Sequence, residues 1–206
     1  MTNVRCTCAT STAFAKPFSK FCKVNSIHAS PTQALRCLSH REAFGLKAQP
    51  SPKKKSDLRL RLAVHHLSHT RAPIPDARLR RVVRRALRVS GRRGAVAVSL
   101  AFVSAADIRR LNRRYAGHDY VTDVLSFPAL EHPQRFRAPP SRELFLGDVV
   151  ICWPQAVRQA NAAGQPLPRE VDWLLTHGVL HLLGYDHATA REERQMRALE
   201  RKVLQS

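Results

Sequence analysis

From residue 58 onward the chain switches repeatedly between two hydrophobic periods. Leu58, Leu60, Leu62 and Val64 alternate with Arg59 and Arg61, which predicts a strand over 58–65. Pro75 and Asp76 then open a helix whose apolar positions, Leu79, Val82, Val83, Ala86 and Leu87, recur at helical spacing until Gly91 ends it. A second strand spans 95–103, with Val96, Val98, Leu100 and Phe102 on one side. The small Ala97, Ser99 and Ala101 on its other side admit a closely packed helix. Ser104 and Asp107 start a helix running to about 115, with Ile108, Leu111 and Tyr115 expected inward, and Gly117 breaks it. Residues 122–127 read as a strand stopped by Pro128, hence at or near a sheet edge.

The pattern lapses over 128–143, where Pro128, Pro133, Pro139 and Pro140 predict a mobile loop able to cover a cleft. An apolar strand follows at 144–152, interrupted by Gly147 and Asp148. Pro154 begins a helix that Gly164 ends, and Pro168 opens the next. Trp173, Leu174, Leu175, Val179, Leu180, Leu182 and Leu183 surround this helix on nearly all sides, so it is expected to be central and buried. Thr189 and Glu192 cap a last helix with Met196, Leu199 and Val203 as its inner face.

Composition divides the chain near residue 57. The first 56 residues hold ten Lys and Arg against one acid, Glu42, and lack a periodic apolar face; the remainder holds twenty-five against fourteen. Seven of the first ten are Lys, whereas beyond the boundary every basic residue but Lys202 is Arg. Residues 1–57 therefore read as a disordered basic extension resembling an organellar transit peptide, and 58–206 as the folded domain. That makes the expected location the cytoplasm, with mitochondrion or chloroplast as the alternative if the extension is a transit peptide. Cys6, Cys8, Cys22, Cys37 and Cys152 match neither a zinc module nor a disulfide framework. No run is long enough for a membrane span.

The formal charge of +20 suggests a polyanionic partner, although a solvated face explains many charged surfaces. The arginines concentrate on the first two helices. Arg81, Arg85 and Arg88 on one, and Arg110 on the other, are the candidate phosphate contacts. Arg109, Arg113 and Arg114 share the outer surface of the second helix.

The chemistry gathers at Leu174 to His187. His177 and His181 are four apart, so on a helix their imidazoles project from one face, one turn apart, where two nitrogens can share a metal ion. Gly184 can end the helix in the left-handed conformation and return the chain so that His187 supplies a third nitrogen. Three histidines and an open fourth position are the pattern of a catalytic zinc, one per chain. The spacing is that of the metzincin proteases, except that Gly178 stands where those enzymes carry their general-base Glu. Peptide hydrolysis by that route lacks a base. Asp186 is a further candidate, either orienting a ligand or capping the turn.

His177 to His187 as a whole resembles the signature of the YbeY family of endoribonucleases and rRNA maturation factors. Three further pieces follow the family's order: Leu111 and Asn112 through Tyr115 and Gly117 to Asp119; Thr122 to Pro128; and Leu146 to Ile151. The resemblance covers residues 58–206 and implies a single α+β domain, with a small, mostly parallel mixed sheet flanked by helices. It implies one zinc ion held by His177, His181 and His187 on the central helix. It also implies cleavage of single-stranded RNA in maturation of the 3′ end of small-subunit rRNA, and a role in ribosome quality control. Partners would be single-stranded RNA, rRNA and the small ribosomal subunit, with no membrane. One position departs from the pattern: Ala116 stands where many members have an Arg, leaving Arg113 or Arg114 as stand-ins. The residues do not choose between attack by an activated water and attack by the RNA's own 2′-hydroxyl. A protease-like metallohydrolase and a non-catalytic ribosome-assembly factor are the alternative readings.

Overall fold

The computed structural model of the protein describes residues 5–7, 58–67, 72–130 and 143–205. In chain order it forms β1 (Arg5–Thr7), β2 (Arg59–His66), α1 (Asp76–Val89), β3 (Ala95–Val103), α2 (Ala105–Ala116), β4 (Val124–Pro128), β5 (Leu144–Cys152), α3 (Trp153–Ala162), α4 (Leu167–Leu182) and α5 (Ala190–Leu204). The strands make one sheet in the order β1-β4-β5-β3-β2. β2, β3 and β5 run parallel, while β4 is antiparallel to β5 and β1 antiparallel to β4. This is the expected α+β domain with a mostly parallel mixed sheet.

Alternation along the strands decides which helix covers which face. Val96, Val98, Leu100 and Phe102 of β3, with Val149 and Ile151 of β5, join one core with Leu79, Val83 and Leu87 of α1, Leu174 and Leu180 of α4, and Met196 and Val203 of α5. The in-between positions Ala101, Val103, Val150 and Cys152 pack instead with Ile108 and Leu111 of α2. α1, α4 and α5 thus lie on one face, where Ala156 of α3 joins their core, and α2 lies on the other. The small side chains of β3 permit the second packing, as the strand pattern predicts. Leu174, Leu175, Leu180 and Leu182 of α4 are fully buried, each worth roughly 1.5–3 kcal/mol of transfer free energy, so α4 is the helix the fold is built on.

Two expectations shift. Tyr115 does not point inward: it is 42% exposed, and the buried side chain of that turn is Asn112, whose Nδ2 donates to the Tyr120 carbonyl at 3.0 Å. One helical turn beyond Ile108 the inward position is 112, and by 115 the helix has reached the rim of the sheet. Within the N-terminal extension, Arg5–Thr7 pairs with Ser126–Val124 and adds an edge strand, an ordering by backbone hydrogen bonds that side-chain periodicity does not signal. The rest of the extension and residues 131–142 of the proline-rich loop lie outside the described residues.

α1 and α4 lie side by side and point the same way. Near their starts Arg78 grips Asp172, with Nε 3.1 Å from Oδ1 and a terminal nitrogen 2.8 Å from Oδ2. The Asp172 hydrogen bond holds the Arg78 guanidinium above its ordinary range. Beyond their ends, Arg92 is within electrostatic reach of Tyr185. Among the described residues no helix is long and apolar enough to cross a membrane.

Candidate metal centre

Gly178 sets how closely α4 approaches the sheet. A Cβ built there would meet Val149 Cγ1 at 2.7 Å and Ser126 Oγ at 3.2 Å. The Ser126 hydroxyl donates to the Gly178 carbonyl at 3.2 Å, pinning the helix to β4 through a buried contact. A β-branched residue on a central strand cannot swing aside, so position 178 admits hydrogen and little else. The absence of Glu after the first histidine therefore has a steric cause: a side chain here would be driven into β5.

With that face of α4 flat on the sheet, His177 and His181 project along another, and both are buried. Their Nε2 atoms lie 3.1 Å apart. Two ligands on one tetrahedral zinc, each about 2.05 Å from it, are roughly 3.3 Å apart, so these atoms already have nearly the required spacing. α4 then ends as a Schellman turn: Tyr185 N donates to Leu180 O at 3.0 Å, Gly184 N to His181 O at 2.9 Å, and Gly184 takes φ 84°. The turn brings His187 back, and one nitrogen of each of the three histidines lies within 4.8 Å of the others. His187 is exposed, which leaves its ring free to rotate the remaining distance to a tetrahedral position.

Glu200 completes the centre. It is 8% exposed on α5, and its Oε1 lies 2.7 Å from His177 Nδ1. An Nδ1–H donated to this carboxylate fixes the tautomer and turns the Nε2 lone pair toward the other histidines. Trp173 stacks on His177 at 5.4 Å and 21° and limits its rotation further. Glu200 is the site residue that sequence reasoning missed. It is twenty-three residues from its partner, and the apolar face of α5 passes over it as an ordinary Glu between Leu199 and Val203. Buried histidines, a carboxylate behind one of them and an accessible third ligand together fit a divalent metal with an open position.

The Asp186 carboxylate accepts from His187 N at 2.9 Å and so ties the turn that carries the third ligand. Asp123 is buried and structural: its carboxylate accepts from Val124 N at 2.8 Å and from Gln159 Nε2 at 2.9 Å. Burial pushes the Cys152 thiol up, which removes it as a nucleophile near neutrality. Of the candidate phosphate contacts, Arg81, Arg85 and Arg88 are on α1, on the same face of the sheet as α4, and make no ion pair among the described residues. Arg110 is on α2, across the sheet, and pairs with Asp107 at 2.7 Å. Arg113 and Arg114 also belong to α2 and are exposed near its end. The fold therefore divides the arginines between two faces instead of gathering them along one groove.

Comparison with known proteins agrees with this geometry. A family profile described as Endoribonuclease YbeY matches residues 66–206. The Endoribonuclease YbeY of Alkalilimnicola ehrlichii is 44% identical over 149 residues, covering 70% of this chain and 86% of that protein. Its namesake in Roseiflexus castenholzii is 43% identical over 135 residues, covering 65% of this chain and 84% of that protein. In Moorella thermoacetica the protein of that name is 46% identical over 129 residues, 61% of this chain and 82% of the relative. With the three histidines converged at the end of α4 and the match spanning most of the chain, this protein belongs to the YbeY endoribonuclease family.

Proposed function

We propose that the chain is a zinc-dependent endoribonuclease specific for single strands. Its task in this reading is maturation of the 3′ end of small-subunit rRNA, with a part in ribosome quality control. The observation that carries the proposal is the convergence of His177, His181 and His187 on one point beside a glycine that leaves no room for a protease's Glu. His177, His181 and His187 would hold the zinc, which when bound would supply Lewis acidity for phosphodiester hydrolysis. The protein's own work is to hold the ligands. Glu200 keeps His177 in one tautomer, Trp173 keeps its ring in one plane, and the Schellman turn delivers His187. Arginines then hold the substrate's phosphates, and an unpaired strand bends its backbone into such a site more readily than a stiff duplex.

In the same reading residues 58–206 carry the activity and residues 1–57 are an extension dispensable for it. The protein acts in the cytoplasm, or in an organelle if the extension is a transit peptide. A non-catalytic assembly role would need a closed site of four protein ligands, whereas only three histidines meet among the described residues. The test is a nuclease assay on single-stranded and duplex RNA, with and without a chelator, beside a casein digest. Chelator-sensitive cleavage confined to single-stranded RNA supports the reading. Casein cleavage, or RNA cleavage that survives both the chelator and His177→Ala, overturns it.

A further inference from the structure

The α2 side of the sheet carries exposed rings that the metal centre does not use. Tyr115 and Tyr120, on the last turn of α2 and the segment leading to β4, are 42% and 43% exposed. Each has a cationic or aromatic companion. The Arg114 guanidinium carbon lies 5.4 Å from the Tyr115 ring centroid, and the His118 and Tyr120 rings are 5.5 Å apart with a 31° tilt. Neither ring is on a loose segment. Tyr115 stands edge-on to Phe127 at 5.5 Å and 82°. The Tyr120 carbonyl accepts from the buried Asn112, and next to it Asp119 is held by Arg109 at 2.8 and 3.0 Å. Gly117, at φ 75°, makes the reversal that lays this segment back along the helix.

The charges here are unequally satisfied. Asp119 and Asp107 answer Arg109 and Arg110, while Arg114 makes no ion pair among the described residues. Flat exposed rings beside such an arginine offer a face for a base and a cation for its phosphate, which is how unstacked nucleic acid strands are held. An acidic polypeptide would use the charge but not the ring faces.

The position relative to the metal centre follows from one strand. On β4 the Ser126 side chain bonds the Gly178 carbonyl beside His177, while Phe127, pointing to the opposite face, meets Tyr115. Neighbouring residues of β4 thus touch the helix that carries the histidines and the ring of Tyr115. β1 pairs with Val124 to Ser126, and Phe127 follows directly on this paired stretch.

We propose that Tyr115 with Arg114, and Tyr120 with His118, form a stacking platform for unpaired bases of the RNA strand that the histidine site cleaves. The proposal rests on the nuclease reading. Its test uses the full-length, metal-loaded protein. Fluorescence anisotropy measures binding of a labelled single-stranded RNA and of an equally long oligonucleotide bearing abasic sites, while gels follow cleavage of the RNA. Tyr115→Leu or Tyr120→Leu should weaken RNA binding by roughly 5- to 150-fold, the loss of one stacked base. Tyr115→Phe, which keeps the ring, should stay within about twofold. On the abasic strand the Leu variants and the wild type should bind alike, and the metal content of all four proteins should be equal. If wild type binds and cleaves RNA and both Leu variants bind it equally well, the platform is wrong and the nuclease reading stands. Equal weakening on the abasic strand, or failure of the Phe variant, also overturns the platform. If wild-type protein neither binds nor cleaves single-stranded RNA, the nuclease reading fails and the platform with it.

Discussion

The two faces of the sheet are covered by different means. On one, α4 lies so close that position 178 has no room for a Cβ, and two of its histidines are buried with a carboxylate behind them. On the other, α2 rests on a smaller apolar cluster and turns arginines and tyrosines to solvent. Rigid packing suits the first, because metal ligands must hold their spacing to a few tenths of an ångström. Exposure suits the second in the platform proposed above, because a flexible polymer would have to reach it. On the proposed reading, the chemistry belongs to the first face and base stacking to the second.

The harshest way to break that contrast is to restore what the close face excludes. Gly178→Glu forces a side chain against Val149 and a carboxylate toward the core, and should cost more than about 4 kcal/mol. Denaturant unfolding measures it, and a variant as stable as wild type would show that α4 can lift from the sheet. His181→Ala removes one of the two buried ligands. On the proposed zinc reading, elemental analysis should find about one zinc per chain in wild type and near none in this variant, with loss of the metal-dependent part of the thermal stability. Full occupancy would mean that the metal sits elsewhere.

Glu200→Gln keeps the shape of the centre and removes the charge behind His177. Zinc affinity, read by competition with a chromophoric chelator, should weaken by roughly 10- to 100-fold. No change would reduce Glu200 to a packing residue. The smallest effect is electrostatic. Replacing Arg81 and Arg85 of α1 by Glu should lower the salt dependence of RNA affinity by about 0.7 in log–log slope for each phosphate no longer neutralised. An unchanged slope would assign RNA binding to the α2 face alone.

Much of this was legible in the chain. Period-two runs located β2 and β3, and an apolar run β5, to within a residue or so, and the helix-spaced Leu79, Val82, Val83, Ala86 and Leu87 are the buried face of α1. The Ser104 cap and the Thr189–Glu192 capping box mark where α2 and α5 begin. Failures came where a side chain's environment depends on a distant segment. Tyr115 fits the apolar spacing of α2 but meets the rim of the sheet, and Arg78 reads as solvated charge until α4 brings Asp172 beside it.

The metal centre divides along the same line. His177, His181 and His187 were set by sequence alone, because helical pitch and a glycine stop are local and fix which side chains meet within eleven residues. What the tertiary structure decided is everything that acts across the chain: Glu200 behind His177, Val149 and Ser126 against Gly178, and the sheet between the two sets of arginines. Those contacts join residues far apart in sequence, and no periodicity along one segment encodes which distant segment will pack against it.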